Sequence, residues 1–266
     1  MPAEKIQNTA CFLFDLDGTI YLGDKLLPGS KELLAYLDQA ERPYYFLTNN
    51  SSRSRADYST RLGKYGLDTP VEKIISSGMA TAIFLKKQNP AARIFLVGTP
   101  SLEKEFLKYG FQLVDENPDF AVLGFDTTLT YQKIWTLCDF VVEGVPYIAT
   151  HPDINCPTQD GFMPDIGAMM AMIQSSTGKA ADVVVGKPNP PMVEAIVELT
   201  GFKPDRLTMV GDRLYTDIAM GDVGIQTVLV LSGETKREDL SRAPRQPDLV
   251  CDNLGQLLEL LRQGDE

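Results

Sequence analysis

Cys11-Phe12-Leu13-Phe14-Asp15-Leu16-Asp17-Gly18-Thr19 is the stretch that decides the fold. Four apolar residues in succession predict a strand buried on both faces, where an alternating run would predict one face in water. The run stops at Asp15, and Gly18 gives the backbone the freedom to turn sharply just beyond it. The same grammar recurs outward along the chain. Tyr44-Tyr45-Phe46-Leu47 leads into Thr48-Asn49-Asn50-Ser51-Ser52, Val183-Val184-Val185 into Gly186-Lys187-Pro188, and Leu207-Thr208-Met209-Val210 into Gly211-Asp212. Thr227–Leu231 and Leu249–Cys251 predict two further strands.

Helical spacing fills the intervals. Ser30 reads as the cap of a helix carrying Leu33, Leu34 and Leu37. Tyr58 and Leu62 belong to a second helix, with Gly66 as its stop. Pro190 and Pro191 can start the helix of Val193, Ile196 and Val197, and Leu254–Leu261 predicts the last one. Strand, loop and helix in this order imply an α/β fold, a parallel sheet with helices on both faces.

Residues 79–178 read as an inserted unit, leaving 1–78 and 179–266 as the core domain. The insert has its own predicted strands at 93–97, 120–123 and 147–149, and helices near 102–108, 131–142 and 166–175. That suffices for a small α/β domain.

Composition narrows the function classes. The 266 residues are 44% hydrophobic and 23% charged, ordinary for a globular protein. A net charge of −11 argues against a nucleic-acid-binding face, which needs clustered Lys and Arg. No stretch approaches the roughly 20 apolar residues that span a bilayer, and Met1-Pro2-Ala3-Glu4-Lys5 does not resemble a secretory signal. Cys11, Cys138, Cys156 and Cys251 have no paired spacing, so free thiols in the reducing cytoplasm are expected.

Ligands of open parallel sheets sit beyond the carboxyl ends of the strands, where the polar sets above lie. Each alone reads as a turn or a cap; four in this order point to chemistry. A carboxylate such as Asp15 can attack phosphorus and form an acyl phosphate, splitting one difficult displacement into two. Asp17 could protonate the departing alkoxide and then activate water, although alone it reads as an Asx turn. Asp15, Asp212 and a backbone carbonyl such as that of Asp17 would form an oxygen-rich cage suited to Mg²⁺. With one His and no clustered Cys, zinc is disfavoured. Thr48, the Asn49 amide and Lys187 could hold phosphate oxygens, the alternative for Lys187 being a surface lysine before proline. Asp217 reads equally as a helix-terminal acid or as support for the metal ligands.

Phe14-Asp15-Leu16-Asp17-Gly18-Thr19, Leu47-Thr48-Asn49-Asn50-Ser51-Ser52, Gly186-Lys187-Pro188-Asn189-Pro190 and Val210-Gly211-Asp212-Arg213 through Thr216-Asp217-Ile218 resemble the four motifs of the haloacid dehalogenase (HAD) superfamily. The TNNSS form, the large insert and Ala149-Thr150-His151-Pro152-Asp153 are similar to its NagD-like branch with a type 2 (C2) cap. The resemblance implies a Rossmann-like core with an inserted α/β cap, and a phosphoric monoester hydrolase acting on small-molecule phosphate esters. It implies Asp15 as nucleophile, Asp17 as acid/base, magnesium on Asp15, the Asp17 carbonyl and Asp212, and phosphate on Thr48, Asn49 and Lys187. It is compatible with a homodimer through the cap. Tyr215, where the branch more often has an acid, and His151, where Asn is common, depart from its pattern.

His151 is expected to make a structural or substrate-side contact, not to perform chemistry. For Asp160-Gly161 and Asp165 the favoured expectation is a solvent-exposed turn. A phosphotransferase or mutase using the same aspartyl phosphate, and a catalytically idle binding module, are the competing functions.

Overall fold

The computed structural model describes residues 6–158 and 161–265. Met1–Lys5 and Asp160, on which two of the expectations above fall, lie outside the described residues. The backbone forms two compact units, the first of Met1–Thr48, Arg61–Ile75 and Ile196–Glu266, the second of Asn49–Thr60 and Ser76–Ala195.

The first unit is built on a six-stranded sheet of β1 (Cys11–Phe14), β4 (Tyr44–Thr48), β5 (Ile74–Ser76), β13 (Leu207–Gly211), β14 (Gln226–Val230) and β15 (Leu249–Cys251). Its spatial order is β15-β14-β13-β1-β4-β5, and β4, β1, β13, β14 and β15 run parallel. All four residues of β1 are buried, as a continuous apolar run requires of a strand covered on both faces. After β1 the chain builds outward to one side, then returns to the other side at β13, so β1 and β13 flank the point where strand order reverses. Ligand crevices form beyond the carboxyl ends of such a strand pair. A short hairpin, β2 (Tyr21–Leu22) with β3 (Lys25–Leu26), follows β1.

Helix α1 (Ser30–Gln39) buries Leu33, Leu34 and Leu37, the stripe read from the sequence. Its cap differs from expectation. Gly29 takes that position with φ of 83°, and Ser30 Oγ donates instead to the Ile20 carbonyl at 2.8 Å. The Ile20 carbonyl, which also accepts the Leu27 N–H at 2.9 Å, gives the buried hydroxyl a partner, and leaving that hydroxyl unmatched would cost more than a local cap returns.

The second unit has a five-stranded parallel sheet: β6 (Arg93–Val97), β7 (Gln112–Leu113), β8 (Phe120–Leu123), β9 (Tyr147–Ala149) and β12 (Val183–Val184). Their order is β12-β9-β8-β6-β7. Val97, Ala121, Leu123, Leu137, Tyr147 and Ile173 form its core. The Val183–Val184 run therefore closes the edge of this sheet and is not a strand of the six-stranded one. Two short apolar residues state that a strand exists, not which strand it joins. Thr99 and Thr130 accept N–H bonds from Leu102 and Lys133 as helix caps of Pro100–Lys108 and Tyr131–Glu143. An antiparallel hairpin, β10 (Asn155–Thr158) with β11 (Gly161–Pro164), precedes the helix Ile166–Thr177.

Candidate active site

Asp15 follows β1 directly, and its N–H continues the ladder to the Val210 carbonyl of β13 at 2.9 Å. Asp212 follows β13. The sheet therefore delivers both carboxylates to adjacent strand ends. Asp15, Asp212 and Asp217 are all buried, and one carboxylate oxygen of each lies within 4.8 Å of the others. At that separation and an effective dielectric of 20, each ionised pair would repel by roughly 3 kcal/mol.

Hydrogen bonds answer this repulsion only in part. Asp212 Oδ2 accepts the Glu234 N–H at 2.6 Å, while Asp212 Oδ1 is buried without a partner. Burial, then the charges of Asp15 and Asp217, push the Asp212 carboxyl well above the usual carboxylate value. Asp217 Oδ2 accepts the N–H groups of Asp212 and Arg213 at 3.2 and 3.1 Å, which holds the loop after β13 in shape. A buried, like-charged set of hard oxygens with one oxygen unanswered fits a divalent cation, and no thiol or imidazole is among them.

Gly18 is a steric requirement of this cluster. Its φ is +95°, and a Cβ there would come within 2.3 Å of Asp212 Oδ2. Asp17 sits in the turn between, partly exposed. Its Oδ2 accepts a long bond from the Tyr21 hydroxyl at 3.5 Å, and its Oδ1 is 4.0 Å from the Arg61 guanidinium. Thr48 is the buried last residue of β4.

Asn49 and Lys187 belong to the second unit, both buried. The Lys187 N–H donates to Asn49 Oδ1 at 2.8 Å, and Asn49 Nδ2 donates to the Lys187 carbonyl at 3.2 Å and to Asp153 Oδ1 at 2.7 Å. The loop after Asn49 is likewise tied down. Asn50 Oδ1 accepts from the Ser52 N–H and hydroxyl, and Ser51 Oγ lies 2.8 Å from Thr150 Oγ1.

Asp165 and Asp153 have roles here that the sequence did not disclose, whereas His151 makes the structural contact expected of it. Asp165, expected in an exposed turn, is buried, and its Oδ1 is 3.0 Å from His151 Nε2. It also accepts the Ile166 N–H at 2.7 Å as a helix cap. His151 is fully buried, and Asp153 joins both within ligating distance of one another. The available signal was Thr150-His151-Pro152-Asp153 directly after a strand, the placement shared by the other polar sets.

The chain is similar to known proteins over nearly its whole length. The haloacid dehalogenase-like hydrolase family model matches residues 12–112, and a HAD-hydrolase-like model matches 184–257. A dihydroxyacetone phosphatase of Corynebacterium glutamicum is 34% identical over 249 residues, 93% of this chain and 90% of that protein. The solved structure of a 4-nitrophenylphosphatase from Thermotoga maritima is 47% identical with a TM-score of 0.93, over 97% of this chain and 99% of that one. NagD from E. coli K-12 is 31% identical with a TM-score of 0.86, over 93% and 98%. No helix among the described residues is long and apolar enough to cross a membrane. The chain belongs to the haloacid dehalogenase-like hydrolases and, within them, to the NagD-like phosphomonoester phosphatases.

Proposed function

We propose that the protein hydrolyses a small-molecule phosphomonoester in two displacements through a phosphoryl group carried on Asp15. The observation that carries this reading is the gathering of Asp15, Asp212 and Asp217 at the reversal point between β1 and β13. In the first displacement an Asp15 oxygen bonds to phosphorus as the ester P–O bond breaks, and Asp17 gives its proton to the departing alkoxide. In the second, Asp17 takes a proton from water as the water oxygen bonds to phosphorus, and the Asp15 carboxylate is released with inorganic phosphate. The partly exposed setting of Asp17 suits proton exchange with leaving group and solvent.

Asp15, the Asp17 carbonyl and Asp212 would hold magnesium, with Asp217 keeping the Asp212 loop in place. When bound, the cation supplies positive charge that offsets repulsion between carboxylate and phosphate dianion. Thr48 and the Asn49 N–H donate to phosphate oxygens, and Lys187 adds a point charge. The insert at 79–178 is assigned the substrate-selecting role of a cap domain. Names of relatives support a substrate as small as a triose phosphate or 4-nitrophenyl phosphate. A cytoplasmic location is supported by four free cysteines. A homodimer through the insert is supported by the exposed Tyr131, Trp135 and Phe162, and light scattering in solution would test it.

The test is a screen of phosphate esters with magnesium, read as relative kcat/KM with stoichiometric phosphate release. Rapid quench and mass spectrometry should find the transferred phosphoryl group on Asp15. Absence of a labelled aspartate under single-turnover conditions would rule the covalent route out. Transfer to added sugars in preference to water would favour a phosphotransferase instead.

A further inference from the structure

The buried polar cluster of the second unit invites comparison with a metal site, because His151, Asp153 and Asp165 offer ligand atoms within 4.8 Å of one another. Each of these side chains carries a hydrogen bond inside the protein, however: His151 with Asp165, and Asp153 with Asn49. Their arrangement makes better sense as a brace than as a cage.

The Asn49 amide is the point at which the brace acts. An ionised carboxylate can only accept and a backbone N–H can only donate. Asp153 Oδ1 therefore holds the Nδ2 end of Asn49, and the Lys187 N–H holds the Oδ1 end. The remaining Nδ2 hydrogen reaches the Lys187 carbonyl. One side chain thus grips both backbone polar groups of Lys187, in one orientation only. The Asn49 carbonyl also accepts from Ser77 Oγ, which lies 3.4 Å from His151 Nδ1.

Packing closes the other direction. A Cβ at Gly186 would meet the His151 Cβ at 2.5 Å and Asn49 Oδ1 at 2.7 Å, so the backbone entering Lys187 lies directly against both. His151 is held in turn by Asp165 at 3.0 Å. Neither Asn49 nor the 186–187 backbone can shift without disturbing a fully buried neighbour.

We propose that Asp153 is a positioning residue that acts through the Asn49 amide to fix the backbone of Lys187, and with it the place from which the ammonium meets phosphate. The inference rests on Lys187 being the phosphate-binding cation. An amide at 153 offers Asn49 Nδ2 a neutral oxygen in place of a charged one, and a neutral acceptor holds a donor about half as strongly. The Lys187 N–H and carbonyl keep the Asn49 amide in its present orientation, so what is lost is tightness: Asn49 and the Lys187 backbone it grips are held less firmly. A loss of that size weakens phosphate binding by on the order of tenfold.

The experiment is calorimetric titration of inorganic phosphate onto the magnesium-loaded protein, in the wild type, Asp153→Asn, Lys187→Met and the double variant. Asp153→Asn should raise the phosphate Kd about tenfold, yet by less than about twofold when Lys187 is already Met, because the two act on one interaction. The same fold-change in both backgrounds, or no change in the single variant, overturns the proposal while a weakened Lys187→Met leaves the role of Lys187 intact. An unchanged Kd in Lys187→Met overturns that role and the proposal with it. Should Asp153→Asn fail to fold, Asn49→Ala replaces it, with the same tenfold and twofold expectations and the same overturning results.

Discussion

Among the described residues lie two buried clusters of acidic side chains, one in each compact unit, and they answer the cost of burial in opposite ways. Asp15, Asp212 and Asp217 face one another with one oxygen of Asp212 unanswered and its carboxyl pushed above the usual range. Asp153 and Asp165 face an amide and an imidazole that reach them at 2.7 and 3.0 Å. A buried carboxylate that already has its donors adds rigidity, whereas one left short of them has a standing demand for positive charge. The comparison separates the cluster suited to a cation and a phosphate from the cluster suited to holding shape.

The strongest way to break the comparison is to exchange Asp15 for Asn. Turnover of 4-nitrophenyl phosphate should fall by roughly 10⁴-fold or more, because amide nitrogen and oxygen are poor nucleophiles. Asp153→Asn should cost only about tenfold in kcat/KM, the expectation for a group acting on binding alone. Equal losses at the two positions would erase the distinction between the clusters. Asp17→Asn should follow, slowing turnover by about two to four orders of magnitude. Esters with alkyl leaving groups should suffer more than 4-nitrophenyl phosphate, whose leaving group needs little protonation.

Metal removal should be visible in stability as well as in rate. At magnesium 100-fold above its Kd, linkage stabilises the native state by about 2.7 kcal/mol, read as a rise in Tm. Asp212→Asn should abolish that rise. The pH dependence of the chelated protein sharpens the point. The Asp212 carboxyl is raised in the folded state, so the native protein binds the proton more tightly than the unfolded chain. Its contribution to stability is full below the ordinary value of 3.8 and is lost as pH rises through the folded-state value. The Asp212→Asn variant should show a flatter profile over that window, and an identical slope would refute the assignment.

In the second unit, Asp165→Ala should destabilise by about 1–3 kcal/mol in denaturant titration, since it strips His151 Nε2 of its partner and the following helix of its cap. Added magnesium should leave that loss unchanged; recovery on adding the metal would make this cluster a metal site after all. The smallest effect is expected at Tyr215, which is 45% exposed. Tyr215→Asp should change stability by less than about 0.5 kcal/mol.

Much of this was legible in advance, for reasons that differ along the chain. Asp15 and Asp212 stand out because each ends an apolar run, and a charge there marks a strand leaving the core. The helix stripe of Leu33, Leu34 and Leu37 follows from periodicity alone. Local pattern misled where a tertiary partner intervened. Ser30 resembles a cap, yet its hydroxyl serves the Ile20 carbonyl. Asp165 resembles a turn residue, yet the hairpin of β10 and β11 brings it back beneath His151.

By itself the sequence determined that the chain is an α/β protein with carboxylates at strand ends, because period, runs and breakers act over a few residues and leave their mark in order. Only the tertiary structure decided that β12 joins the second sheet, that Asp165 is buried against His151, and that Asp153 grips Asn49 from 104 positions away. Such meetings follow from which strands pair and how loops close, and neither is encoded in the spacing of nearby residues.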